Sequence, residues 1–293
     1  MVSVKVMAFA GIATVVAGAA NAADMPQLLP PVPVPYYEDF AAAWYLRGDI
    51  GLSNQSVDSL FNVLYSTTEN VNTVFKEFDS APIFGVGFGY QFNNWIRADV
   101  TGEYRAGATF HGLDIVRSGG NTFTDEYRAI KSEWLVLANI YADFGTWAGF
   151  TPFVGVGVGG SRNTISSFID VCTTCPGGGV AHGGTESSKW NFAWAIHAGI
   201  GYKVTNNVTL EFAYRYVDLG DALSGDLVTY LGQNSINNPM EFRGLTSHDF
   251  KFGVRWMFNP APVKPVYDYP PPPKYDYPPP KYDYPPPPLM RRG

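Results

Sequence analysis

The stretch WIRADVTGEYR, residues 95–105, constrains the fold more tightly than any other part of the chain. Ile96, Ala98, Val100, Gly102 and Tyr104 alternate with Arg97, Asp99, Thr101, Glu103 and Arg105. Side chains on a β-strand repeat with a period of two, so this strand has one wholly apolar face and one face with four charges. The division recurs in TLEFAYRY, where Leu210, Phe212, Tyr214 and Tyr216 oppose Glu211 and Arg215. In DFKFGVRWMF, Phe250, Phe252, Val254, Trp256 and Phe258 oppose Asp249, Lys251 and Arg255. NFAWAIHAGIGYKV sets Phe192, Trp194, Ile196, Ile200, Tyr202 and Val204 against His197, Gly199, Gly201 and Lys203, and IFGVGFGYQF sets large apolar residues against glycines.

Eight such segments occur, near residues 43–54, 81–93, 95–107, 127–145, 150–162, 189–205, 207–219 and 247–258. No apolar helix is available to cover their apolar faces. An even set of amphipathic strands then points to an all-β fold, an eight-stranded antiparallel transmembrane β-barrel, because closure pairs every backbone polar group within lipid. The connections alternate: Asn93-Asn94, Gly145 to Gly149 and Asn206-Asn207 are short, while the other links run to some twenty residues or more. That alternation matches short periplasmic turns and long outer loops. Trp44, Phe92, Trp95, Phe144, Trp147, Tyr202 and Phe258 crowd the short-turn ends as an interfacial girdle. A soluble lipocalin-like barrel would put the apolar residues inside and the charges outside, with no girdle.

The two ends differ from this body. Residues 1–22 hold one cation, Lys5, an apolar run from Val6 to Val16, and Ala20-Asn21-Ala22, the pattern of a cleaved secretory signal. The run is too short to span a bilayer, which takes about 20 apolar residues. Residues 23–42 form a Pro-rich periplasmic segment, 43–258 the barrel, and 259–293 a second Pro-rich tail with three near-copies of Tyr-Asp-Tyr-Pro-Pro-Pro. Consecutive prolines favour extended polyproline II and build no core, so both tails are expected to be disordered spacers. The formal net charge of −6 argues against a nucleic-acid partner. In an exported chain, Cys172 and Cys175 are expected to form a disulfide; a zinc site lacks a second ligand pair, and His182 nearby reads as a solvated loop residue.

WYLRGDIGLS, NNWIRADVTGEYR, TPFVGVGVGGS, VTLEFAYRYVDLGD and HDFKFGVRWMF together resemble the small outer-membrane barrel proteins of alphaproteobacteria, the porin-family or OmpA-like β-barrels of rhizobial and brucella type. The resemblance runs from about Trp44 to Phe258. It implies that Phe258 ends the signal read by the barrel assembly machinery. It also implies that Ala23 and Asp24, at the mature N-terminus, are the point of covalent attachment to peptidoglycan, with Ala23 supplying the amine.

Other motifs have plainer explanations. Gly155 to Gly160 formally match a dinucleotide fingerprint, but no helix follows, and glycines suit the thin inner face of a crowded barrel strand. His197 is mid-strand and lumenal, His111, His182 and His248 fall in or beside loops, and no Ser-His-carboxylate set assembles, so no catalytic residue, metal site or cofactor is expected. Eight strands leave an interior just filled by side chains. Arg47, Asp49, Arg97, Asp99, Glu103, Arg105, Glu133, Asp143, Glu211, Arg215, Asp249, Lys251 and Arg255 are expected to fill it as an ion-paired plug. The Arg47-Gly48-Asp49 tripeptide, an adhesion motif in other contexts, here supplies two of those charges.

The function these features imply is structural: a barrel in the outer membrane of a Gram-negative bacterium, with both termini periplasmic, linking that membrane to the cell wall. Its partners would be outer-membrane lipid and lipopolysaccharide, peptidoglycan, the assembly machinery and a periplasmic ligand of the tail. A surface binding protein that contacts host, haem or phage through its loops is the alternative, and a small diffusion porin the next.

Overall fold

A computed structural model describes residues 42–64, 70–175, 179–229, 232 and 236–258. Contacts divide the chain into two units, Met1–Glu38 and Asp39–Gly293, and every described residue belongs to the second. The signal segment, the Pro-rich tails and the Ala23-Asp24 pair lie outside the described residues.

The described residues hold β1 (Ala43–Phe61), β2 (Asn70–Phe78), β3 (Ala81–Gln91), β4 (Ile96–Ser118), β5 (Asn121–Asp143), β6 (Phe150–Cys172), β7 (Gly179–Gly183), β8 (Ser187–Lys203), β9 (Val208–Leu223), β10 (Leu227–Thr229) and β11 (Glu241–Met257). Eight of these close a ring by antiparallel pairing, in the order β1-β3-β4-β5-β6-β8-β9-β11 and back to β1. Each of the eight amphipathic segments read from the sequence is one ring strand. Alternate residues point out: Trp44, Leu46, Ile50 and Leu52 are exposed while Tyr45, Arg47 and Asp49 are buried between them. The arginine and aspartate of Arg47-Gly48-Asp49 therefore face the lumen from mid-strand.

Local chemistry makes the short turns. Asn93 Oδ1 accepts from Trp95 N and Ile96 N at 2.9 and 2.8 Å, and Thr205 Oγ1 accepts from Val208 N at 3.0 Å. The glycine face of β6 is required by close approach. A Cβ on Gly157 would lie 2.2 Å from Asn139 Oδ1, and one on Gly159 would lie 1.9 Å from Val136 O.

Several expectations are corrected. The ring strands run well past the segments read from period alone, and the link between β4 and β5 is not a long loop. Those strands form one tall hairpin, pairing up to Ser118 and Asn121, closed by Gly119 and Gly120. Both glycines have positive φ, 58° and 83°, which a tight two-residue hairpin turn with native twist demands. Three short strands, β2, β7 and β10, occupy what were expected to be loops. His111 and His182, expected in or beside loops, likewise sit in strands, β4 and β7, while His248 lies in β11, the segment read as a strand.

The physical reason is a set of β-bulges. Each adds a residue to one strand and reverses which positions face inward beyond it. On β4 the inward series Arg97 to Arg105 shifts to Ala108, Phe110 and Asp114 across a break in pairing between Arg105 and Ala108. On β6, Ser167 at φ 53° shifts the series from Ile165 to Phe168, and on β9 and β11 Gly220 and Gly244 do the same at φ 70° and 65°. An alternation followed from the short-turn side stops being in phase at these points.

Candidate functional site

The lumen on the short-turn side of the bulges is filled by charge. One alternating chain of acids and bases runs up it: Asp143, Arg97, Glu211, Arg47, Asp49, Lys251, Glu103, Arg215, Asp249, Arg105, Glu133 and Lys131. From Asp143 to Lys251 the successive ion pairs measure 3.1, 3.3, 3.4, 2.8 and 3.5 Å. Lys251 then meets Glu103. The pairs from Glu103 to Glu133 measure 2.6, 2.7, 2.7 and 3.0 Å, and Lys131 closes the chain on Glu133. Asp99 branches from Arg47 at 3.1 Å and Arg255 from Glu211 at 3.0 Å. The seven cations Arg47, Arg97, Arg105, Lys131, Arg215, Lys251 and Arg255 balance the seven anions Asp49, Asp99, Glu103, Glu133, Asp143, Glu211 and Asp249, all of them buried.

The strands place these groups because neighbouring charges two residues apart share the inner face. Arg47 uses Nε and Nη2 on Asp49 at 3.0 and 2.8 Å, a fork that the period of two makes available within one strand. Arg215 donates to both oxygens of Glu103 at 2.9 and 2.6 Å and also to Asp249. Arg105 grips Asp249 from the opposite wall with two bonds of 2.7 and 2.8 Å. Its Nε lies 3.0 Å from Glu133 Oε1 without hydrogen-bond alignment, so that contact is ionic. Arg97 stacks over the rings of Tyr141 and Phe153 at 4.2 and 4.6 Å.

Neutral groups complete the filling. Tyr45 Oη donates to Asp99 at 3.1 Å, Asn139 donates to Asp99 at 2.8 Å, and Lys131 donates to Gln55 at 2.7 Å. His197 meets the amide of Asn139 at 3.2 Å; no serine hydroxyl or carboxylate is bonded to its ring among the described residues. Tyr45 faces the lumen as the parity of Arg47 and Asp49 places it, while Lys131, Asn139, Tyr141 and Gln55 were not picked out from the sequence. Lys131 carried a usable signal, since it shares the parity of Glu133 on β5. Of the other candidate residues, Cys172 and Cys175 are disulfide-bonded at the outer end of β6, and Phe258 donates its backbone N–H to Trp44 O at 2.9 Å on the short-turn rim.

Beyond the bulges the interior is apolar. Val57, Phe110, Tyr127, Phe168, Leu219, Phe242 and Leu245 cluster with Phe78 packed against them. Phe110 and Phe242 meet edge to face at 5.0 Å, Phe78 lies 4.9 Å from Phe110, and Tyr127 lies 5.9 Å from Phe168. The β8–β9 pairing ends at Trp194 and Asp218, and amide side chains replace it above. Asn163 and Asn191 donate to the carbonyl of Asp221 at 2.9 and 2.7 Å. The outer mouth carries three inward carboxylates on adjacent strands, Asp114, Asp125 and Asp170. Burial, and then the charges of Asp125 and Asp114, push the Asp170 carboxyl up to about 7.

Comparison with known proteins matches the description "outer membrane protein beta-barrel domain" to residues 10–258. A protein of Brucella suis biovar 1 (strain 1330) of no described function is 30% identical over 276 residues, covering 82% of this chain and 93% of that protein. The outer membrane protein PagN of Salmonella typhimurium is 27% identical, covering 73% of this chain and 89% of its own length. A putative adhesin of Rickettsia typhi is 28% identical, with 73% and 87% coverage.

Proposed function

Because the chain belongs to the outer membrane protein β-barrel family and so resides in the outer membrane of a Gram-negative bacterium, we propose that it is a structural, non-conducting barrel linking that membrane to the cell wall. One observation carries this reading: the two ends of the barrel leave side by side. Tyr45 pairs with Met257, and Phe258 N donates to Trp44 O at 2.9 Å. The first and last described strand ends therefore meet at the short-turn rim, which in barrels of this kind is periplasmic. The fourteen paired lumenal charges fit a protein that fills its own interior, where a porin would keep water, and His197 beside an amide fits a protein without a reaction to catalyse.

Mass spectrometry of muramidase-digested sacculi tests the link. A peptide beginning Ala23-Asp24 and carrying a stem-peptide mass is the expected result. Only free Ala23 termini, under full coverage of the region, would reject covalent attachment.

A second reading, surface binding, has one observation in its favour: β2 presents Val74 and Phe75 exposed at 54% and 41% on the outer half of the molecule. The resemblance to a putative adhesin suits it. Loss of cell binding on Val74→Ser and Phe75→Ser substitution, with the barrel still folded, would move the function to that edge.

A further inference from the structure

The outward face of β5, β6 and β8 carries an arrangement that the sealed lumen does not explain. Tyr104, Trp134, Arg162 and Trp190 are direct cross-strand neighbours on β4, β5, β6 and β8. All four are exposed, Trp134 at 53% and Trp190 at 63%. They mark the outer edge of the apolar belt. On the short-turn side of this row the outward residues of the same strands are Val136 and Ile140, Val158 and Val156, and Trp194 and Ile196. On the other side comes a row of hydroxyls, Ser132, Thr164 and Ser188, again in register, with Thr164 Oγ1 and Ser188 Oγ 2.9 Å apart.

Arg162 is one of four described cations, with Arg117, Arg128 and Lys203, whose side chain no carboxylate or hydrogen bond holds, and of these it alone stands between two tryptophans in register. Each lumenal cation has a carboxylate, and on the outer surface Lys189 pairs with Asp221 at 3.0 Å and Arg243 with Glu241 at 2.6 Å. Arg162 has neither an ion-pair nor a hydrogen-bond partner among the described residues. A lone guanidinium facing lipid is costly at the bilayer centre, and the cost falls toward the interface, where headgroups reach it. The outward positions around it, from 130 to 134, 162 to 166 and 188 to 190, contain no acid, so no carboxylate of these strands stands directly beside Arg162.

We propose that this face binds the phosphorylated sugar headgroup of lipopolysaccharide in the outer leaflet, with Arg162 holding a phosphate between the walls of Trp134 and Trp190. The planar guanidinium offers a two-pronged grip on phosphate oxygens. The two tryptophans stand about 10 Å apart, two strand spacings, which leaves a slot for one headgroup group over Arg162. The hydroxyl row lies about 7 Å further out along the strands, where the sugar hydroxyls of the same headgroup would sit. The site depends on outer-membrane residence and not on the cell-wall link, so either can fail without the other.

The test uses the full chain refolded in detergent micelles, with native mass spectrometry and Trp134/Trp190 fluorescence reading retained lipid. Wild type is expected to bind intact lipopolysaccharide about tenfold more tightly than Arg162→Gln, the scale of one charge-assisted contact. Arg162→Lys should recover part of the loss, and Arg128→Gln, an equal change of charge elsewhere on the same face, should behave as wild type. Enzymatically dephosphorylated lipopolysaccharide should bind wild type as weakly as intact lipid binds Arg162→Gln, and this arm needs no variant to fold. Equal binding of intact and dephosphorylated lipid would overturn the site. Phosphatidylglycerol or inorganic phosphate competing at the same concentration as lipopolysaccharide would reduce it to general anion attraction and overturn the assignment to a sugar phosphate.

Discussion

On β4, Arg105 and Ala108 are three residues apart and both point into the barrel, yet they belong to opposite kinds of interior. Arg105 is held by Asp249 and Glu133 in a lumen made of charge, while Ala108 begins an apolar wall that continues through Phe110 to the aromatic cluster. Towards the short turns the apolar surface faces out to lipid and the polar groups face in. Beyond the bulges the order inverts to that of an ordinary water-soluble domain. The solvent outside each half explains the difference. In lipid, hydrophobic burial offers no gain, so closure and specificity come from satisfied polar groups. In water, the outer half gains from removing Phe78, Phe110, Phe168 and Phe242 from solvent. The bulges let one continuous strand serve both, because each reverses the inward parity at the level where the surroundings change.

The contrast is broken most severely at Arg215, which holds Glu103 and Asp249 together. Arg215→Ala strands two buried carboxylates, and removing one partner of a single buried pair already costs roughly 3 to 5 kcal/mol. The expected outcome is loss of most of the heat-resistant folded form on gels and a large fall in the urea midpoint, without a new channel. A stable ohmic conductance from the folded fraction in planar bilayers would show that the ion chain is a gate and not a plug. Phe242→Ala, in the other half, removes a fully buried ring that touches Phe110, Phe78 and Phe168. It should cost about 3 kcal/mol, felt as faster amide exchange in residues 108–130 while residues 96–105 stay protected. Equal loosening on both sides of Arg105 would mean that the two interiors form one cooperative unit.

The membrane half was legible from the chain because lipid enforces a strict alternation. Arg97, Asp99, Glu103 and Arg105 could be placed inward by parity alone, and so could Glu211, Arg215, Asp249, Lys251 and Arg255. The pairing among them was not legible, since Arg215 reaches Glu103 across 112 positions of sequence. The outer half was hidden for a different reason. Ala106-Gly107 inserts the shift that takes the inward positions from odd to even, and a glycine inside a strand pattern is a known sign of a bulge. Without that shift, Phe110 and Val116 count as outward residues in a loop. Arg162 was passed over because it lies on the face expected to be apolar, where only cross-strand register shows it standing between two tryptophans.

The smallest effect expected separates the halves by pH. Asp170 faces Asp125 and Asp114 across β5 and β4, beside the Cys172–Cys175 disulfide, with Tyr127 opposite it and His182 on β7 next to the strand. Burial and the neighbouring carboxylates push its carboxyl up to about 7 in the folded outer mouth, from the ordinary aspartate value of about 3.9. The folded state therefore holds a proton that the unfolded state has already lost between those two values. Stability in that window falls as pH rises, by at most about 1.4 kcal/mol per pH unit, and the favourable contribution is gone above pH 7. Amide exchange at the outer ends of β5 and β6 should accordingly speed up from pH 5.5 to 8 beyond its intrinsic chemical rate, while the rungs around Arg97 and Asp99 keep their protection. Asp170→Asn, which keeps the shape and removes the titration, should flatten that dependence. A mutant that retains the wild-type pH profile would place the titrating group elsewhere in the mouth, with Asp125, also raised by burial and by Asp114, as the next residue to replace.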